Sequence, residues 1–172
     1  MWPKVLKAVI FFRRMCLTAR MSQYAPAWHG RIEPEPYAGE LAKLGYLYNQ
    51  ALIGVESNNH GLATLTSLKH LNYPRIYYHS SLDARSNRQE RIGWPTDTKT
   101  KPFLVDGVGA HLDTNPDIPD LELINELSSY GVMENGSCEA QAGTYDDRVM
   151  SFGIALVINK RSGLSAIYPS LR

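Results

Sequence analysis

Three carboxylates stand where they could do chemistry. Glu56, in the run ALIGVESNNHG, directly follows the apolar stretch Ala51 to Val55. Asp146 and Asp147, in AGTYDDRVMSFGIALVI, open a long apolar segment with the pattern of a helix. A carboxylate at a strand end and another in the first turn of a helix are what an oxygen-ligated divalent-metal site requires. A carboxylate placed right after a buried strand is costly unless it is solvated, hydrogen-bonded or bound to a cation. Strands of a parallel sheet present ligands at their carboxyl ends, where Glu56 falls. The competing reading has Glu56 facing solvent, bonded to the amides of Asn58 or Asn59. The polar cluster Asn58-Asn59-His60-Gly61 tilts the balance toward function, because a plain connection needs no such equipment.

Asp147 has a structural explanation of its own. Thr144-x-x-Asp147 has the spacing of a capping box, and acids favour the positive end of a helix dipole. That account leaves Asp146 without a structural task and makes it the first candidate ligand. Asp147 is then ligand, cap or partner of a bound water, and Arg148 pairs with either acid or reaches a phosphate. No Asp or Glu precedes Glu33, so an upstream strand supplies no third carboxylate.

Other chemistries are poorly supplied. The five histidines show no metal-ligand spacing, no HExxH pattern occurs, and only His60 adjoins a candidate site. No G-x-x-x-x-G-K-[ST] occurs, which excludes a P-loop ATPase site in this chain. Cys16 and Cys138 lack C-x-x-C spacing, and two such cysteines fit a reducing compartment. The net charge is +1, yet residues 1–32 carry Lys4, Lys7, Arg13, Arg14, Arg20 and Arg31 and no acid. Such a segment is either an arm for a polyanion or a leader without function. Val5 to Phe12 is too short to span a bilayer and reads as neither an anchor nor a signal. At 172 residues the chain is long enough for one domain with a real core.

The elements that must position the acids follow from pattern. Trp28 to Ile32 reads as a strand end closed by a turn over Glu33-Pro34-Glu35-Pro36. Tyr37, Leu41, Leu44 and Tyr48 then predict a helix from about Pro36 to Asn49. Ala51 to Val55 lacks alternation, as in a strand covered on both faces. Asn58 or Asn59 caps a helix striped by Leu62, Leu65 and Leu68. Arg75 to Tyr78 is a short β-prone run, and the alternation predicts an α/β sheet with right-handed crossovers. The polar stretch 79–98 is a functional loop or hairpin, or an insertion. Thr98 to Pro102 starts a helix carrying Phe103, Leu104, Val105, Val108 and Leu112. Pro119 opens another, with Leu121, Ile124 and Leu127 on one face. Val132 to Ala140 predicts a hairpin turning at Glu134-Asn135-Gly136. Thr144 caps the last helix, which runs to about Lys160.

From Trp28 onward the chain resembles the nuclease domain of tailed-phage terminase large subunits. The stretches that carry the likeness are WHGRI from Trp28, ALIGVESNNHG from Ala51, Gly93-Trp94 with TKTKP from Thr98, LINEL from Leu123, and DDRVM from Asp146. Together they span about four-fifths of the chain, in keeping with one domain of ordinary size. The E-x-N-N-x-G run with a downstream D-D-R-V-M is fairly specific as a combination. The likeness implies an α/β fold of RNase H-like type, a mixed β-sheet flanked by helices on both faces. It divides the chain into a divergent leader or replaced first strand (1–20), the nuclease domain (21–165) and a tail (166–172).

By the same resemblance, Glu56, Asp146 and Asp147 are the catalytic carboxylates and ligands of Mg²⁺ or Mn²⁺. The implied activity is endonucleolytic hydrolysis of double-stranded DNA by two metal ions during genome packaging. Asn59, His60, Arg88, Lys99, Lys101 and Arg148 are the implied DNA contacts. Implied partners are the portal protein, the small terminase subunit or a separate ATPase domain, in the cytoplasm of a bacterial host and with no membrane. The chain departs from the family where an essential first-strand Asp is expected, so impaired cleavage is the expectation. Two alternatives stand beside it: an inactive relic that binds DNA or packaging partners, and a resolvase-like nuclease on the same fold.

Overall fold

The computed structural model describes residues 8–11, 32–82, 85–116, 118, 120–133 and 136–161. The strand end expected at Trp28 to Arg31 and the tail at 166–172 lie outside them. The described residues form a mixed α/β structure of five helices and six short strands. Its strands pair as three antiparallel two-stranded ladders: β1 (Ala8–Phe11) with β2 (Leu52–Val55), β3 (Tyr78–Leu82) with β4 (Arg88–Ile92), and β5 (Tyr130–Val132) with β6 (Cys138–Ala140).

β2 is the organising strand. Its one edge pairs antiparallel with β1, Ala8 opposite Val55 and Phe11 opposite Leu52. The segment Val5 to Phe12 thus contributes a strand, β1, to one edge of β2. Along its other edge β2 meets two segments in parallel, through single bridges Ile53–Ile76 and Glu56–Trp94. Hydrogen bonds from Tyr77 N–H to Ile53 O (2.9 Å) and from Trp94 N–H to Val55 O (2.8 Å) secure these bridges. The expected run at Arg75 to Tyr78 is thus a parallel neighbour of β2 that continues into β3.

Because side chains alternate along a strand, β2 serves two cores. Ile53 and Val55 join Tyr37 and Leu41 of α1 (Pro34–Leu47) and Leu65 and Leu68 of α2 (Asn59–His70). Leu52 packs instead with Tyr77, Trp94, Leu104 of α3 (Lys101–Thr114) and Met150, Ile154 and Ile158 of α5 (Asp147–Arg161). Helices therefore cover β2 on both faces, as its unbroken apolar run predicts.

Several local expectations need correction. α1 begins at Pro34, so Glu33 to Pro36 is the helix start rather than a turn. Both prolines fit there because the first-turn N–H groups have no intrahelical partner. Leu62 is 43% exposed, and the buried stripe of α2 is Gly61, Thr64, Leu65 and Leu68. In α4 (Leu121–Ser128) the buried residue is Leu123, with Leu127 packed beside it, while Leu121 is 74% exposed. Asp120 caps this helix, accepting from the N–H groups of Glu122 and Leu123. The hairpin expected at Val132 to Ala140 forms, pairing Tyr130–Val132 with Cys138–Ala140, and Gly136 sits at φ +78° near its turn; of the alternatives for 79–98, a hairpin of β3 and β4 is what the structure shows.

The start of α5 differs most from its prediction. Thr144 does not cap it; its hydroxyl donates to Gln141 O at 2.7 Å. The helix begins three residues later, and Asp146 O accepts the Met150 N–H at 2.8 Å. The orphan donors of the first turn go to a distant acid: Glu126 Oε2 accepts from the N–H groups of Arg148 (2.7 Å) and Val149 (3.3 Å). One carboxylate therefore both caps α5 and pins α4 against it. Glu126→Ala is expected to cost about 1–2 kcal/mol in urea denaturation, the range of a lost cap, while Thr144→Ala leaves stability within about 0.5 kcal/mol.

Candidate functional site

Glu56 stands one residue beyond β2 and is only 6% exposed. Alternation puts it on the same face as Leu52, the face on which α5 packs. Its backbone is fixed from both sides: Ser57 N–H donates to Trp94 O at 2.7 Å, and Trp94 N–H donates to Val55 O. Its carboxylate accepts from the Asn58 amide, Nδ2 to Oε2 3.0 Å. Among the described residues no cation pairs with it. The sequence leaves open whether Asn58 or Asn59 serves Glu56 and the helix; Asn58 does both. Its Oδ1 accepts from Gly61 N–H at 2.8 Å, capping α2.

Trp94, the parallel partner of Glu56, is fully buried. The His79 ring meets it edge-on at 5.1 Å, and the Arg161 guanidinium lies 5.1 Å from its centroid. Arg161 Nη1 stands 3.4 Å from His79 Nδ1. Burial first, and then the Arg161 charge, hold the His79 pKa below its ordinary value. No spacing in the sequence announces this group. Its members come from β3, the bridge after β4 and the last turn of α5, which only the fold assembles.

Asp146 and Asp147 are half-buried at the opening of α5. Their surroundings come from α4 and β5: burial raises the Tyr130 pKa to about 12, helped by the Asp146 charge. Burial likewise raises Glu126, with Asp147 contributing. Arg148 pairs with Asp120 at 3.3 Å and approaches Glu126 at 4.0 Å, so its charge serves the α4–α5 contact. Among the described residues no group of three or more His, Cys, Asp or Glu side chains is arranged to hold a metal ion.

The remaining sequence candidates are dispersed. Asn59 and His60 are exposed in the first turn of α2. Arg88, on the exposed β4, pairs with Glu90 at 2.9 Å. Lys99 is exposed, and Lys101 is half-buried at the start of α3. Asp97 organises that start: its Oδ1 accepts from the N–H groups of Lys99 (2.8 Å) and Thr100 (2.9 Å), which lowers its pKa. No helix among the described residues is long and apolar enough to cross a membrane.

A buried histidine, His79, and a half-buried one, His111, make stability depend on pH. His79 and His111 both have pKa values held below 6.5, in each case first by burial. The unfolded chain therefore binds more protons than the folded one as pH falls below about 6.5, and stability falls with it. Glu126, with a raised pKa, acts in the opposite sense nearer pH 4.5 and above. Melting temperature is expected to drop between pH 7.5 and 5.5, with a shallower drop in the His79→Gln, His111→Gln double variant.

Comparison with family models, curated proteins and solved structures finds no match to the chain.

Proposed function

We propose that the protein is a metal-dependent endonuclease domain of the phage-terminase kind, acting on double-stranded DNA, with an incomplete carboxylate set. The observation that supports it most is Glu56: a buried carboxylate at the carboxyl end of a central strand, held by a neutral amide. A buried carboxylate that pairs with no cation among the described residues is a site whose charge favours acquiring one. The resemblance of the E-x-N-N-x-G and D-D-R-V-M runs supplies the rest, including an RNase H-like arrangement of the sheet. A bound Mg²⁺ or Mn²⁺ would supply Lewis acidity and a low-pKa water.

The chain's own groups have limited parts. Glu56 is the buried carboxylate at the end of β2, and Asp146, before the first turn of α5, is the second ligand in this reading. Asp147, in the first helical turn, carries the lesser share. Lys99, Lys101 and Arg88 are the cations for the DNA backbone; Arg148 is engaged with Asp120 and is a weaker candidate. Portal protein, small terminase subunit or a separate ATPase domain would be its partners, in the host cytoplasm.

The missing acid upstream of Glu33 keeps the non-catalytic relic as the second reading. Incubating supercoiled plasmid with the protein in Mn²⁺ separates them. Nicking of unbranched DNA is the expected result. Binding that weakens steeply with salt and never cuts marks the relic, and cutting confined to branched junctions marks a resolvase.

A further inference from the structure

We infer that Arg161 and Arg91, gathered at His79 on one face of the β3–β4 hairpin, form a binding site for a phosphate group. His79 and Arg91 are directly opposed in the hairpin, so their side chains share a face. Arg161 reaches His79 from the last turn of α5, with Nη1 3.4 Å from Nδ1. The site stands apart from the metal reading. Arg161 lies at the far end of α5 from Asp147, about 20 Å along the helix.

Arg161 is held by groups that leave its charge uncompensated. Its guanidinium lies 5.1 Å from the Trp94 ring centre and 5.8 Å from that of Phe103, and it donates to Tyr77. Aromatic faces position a cation without neutralising it, and the remaining N–H donors stay available to a ligand. A cation in a last helical turn is ordinary, but that account requires no aromatic clamp.

Among the described residues no carboxylate pairs with Arg91 or Arg161. Glu90, next to Arg91, pairs with Arg88 on the opposite face of the hairpin. Asp97 is the acid that acts on His79, and its Oδ1 is engaged by the N–H groups of Lys99 and Thr100. Lys99 adds an exposed cation beside it. His79 registers the positive field: burial and the Arg161 charge lower its pKa, Asp97 opposes them, and Arg91 adds to the lowering. A carboxylate fits one guanidinium, whereas a phosphate carries oxygens on several sides and can span two. Both arginines are exposed, so a phosphate within a nucleic-acid backbone reaches them as readily as a free one.

The test measures anisotropy of a short rhodamine-labelled DNA duplex across a salt series without divalent metal, for the whole chain, Arg161→Gln, Arg91→Gln and Lys43→Gln. Lys43, on α1, gives the same change of charge on the other face of β2. Each arginine variant is expected to reduce the slope of log affinity against log salt by about 0.9, the loss of one phosphate contact on B-DNA. Lys43→Gln is expected to leave the slope unchanged. Calorimetric titration with inorganic phosphate at constant ionic strength is the second arm. Reduced DNA slopes assign the pair to a nucleic-acid backbone; phosphate binding lost in both arginine variants assigns it to a free phosphate. The proposal is overturned if the parent binds neither probe, if neither arm changes in a folded arginine variant, or if Lys43→Gln lowers the slope equally. The Arg91 side chain is exposed and makes no hydrogen bond or ion pair among the described residues, so its variant decides the matter if Arg161→Gln loses stability. Because no arm depends on cleavage, a protein that never nicks DNA overturns the nuclease reading and leaves this result intact.

Discussion

Gly61→Ala is expected to destabilise the protein by about 3 kcal/mol or more, the upper range for forced overpacking. An alanine Cβ there would fall inside the van der Waals envelope of the Glu56 carbonyl oxygen. It would also stand 2.9 Å from the Glu56 carbonyl carbon and 3.2 Å from Asn58 Oδ1. The obstacle is backbone, locked to Trp94 through Ser57 N–H, so it cannot move aside as a flexible side chain would. The sign is what makes the prediction sharp. Glycine to alanine inside a helix ordinarily stabilises by about 0.5–1 kcal/mol. Gly39 in α1 and Gly109 in α3, where an added Cβ meets nothing within 4 Å, are expected to show that ordinary gain. Urea denaturation of the three variants gives the comparison directly, and a neutral Gly61→Ala would contradict the close seating of α2 on Glu56.

Trp94→Ala is expected to cost about 3–5 kcal/mol, the range for emptying a large aromatic site. The ring is fully buried among Tyr77, Leu104 and the α5 residues Met150, Ile154 and Ile158. It also supports Arg161 and His79. Trp94→Phe retains much of the packing and leaves no orphaned indole donor; Trp94 Nε1 has no hydrogen-bond partner among the described residues. Its cost is therefore expected to be well under half that of alanine. A loss of similar size in both variants would mean that the indole makes a contact absent from this packing.

What could be read from the sequence was mainly local. The unbroken run Ala51 to Val55 announced a doubly covered strand, and Asn-Gly at 135–136 announced a hairpin, because each signal lies within a few residues of what it specifies. Asn58 was visible as one of two candidate caps, since side-chain capping reaches only the next turn. The cap of α5 was misread at Thr144 because the true acceptor, Glu126, is remote in sequence and meets the helix only after α4 packs. Leu121 and Ile124 satisfied a helical period, yet Leu123 is the residue buried, since an eight-residue helix offers more than one plausible stripe. The Trp94–His79–Arg161 group escaped entirely, being a product of tertiary structure. Of the proposed site, Glu56 stood out because a charge after an apolar run conflicts with burial. Asp146 and Asp147 stood out only as acids at a helix start, and their neighbours Tyr130 and Glu126 were not foreseen.

Glu56 is proposed above as a metal-ligating carboxylate of a nuclease. The initial rate of supercoiled plasmid nicking at saturating Mn²⁺, for the parent chain against Glu56→Ala prepared in parallel, tests it most directly. Measurable nicking by the parent is expected, with a loss of about 100-fold or more in the variant, the scale of removing an electrostatic catalytic group, and with its melting transition retained. Equal rates for the two proteins would contradict it.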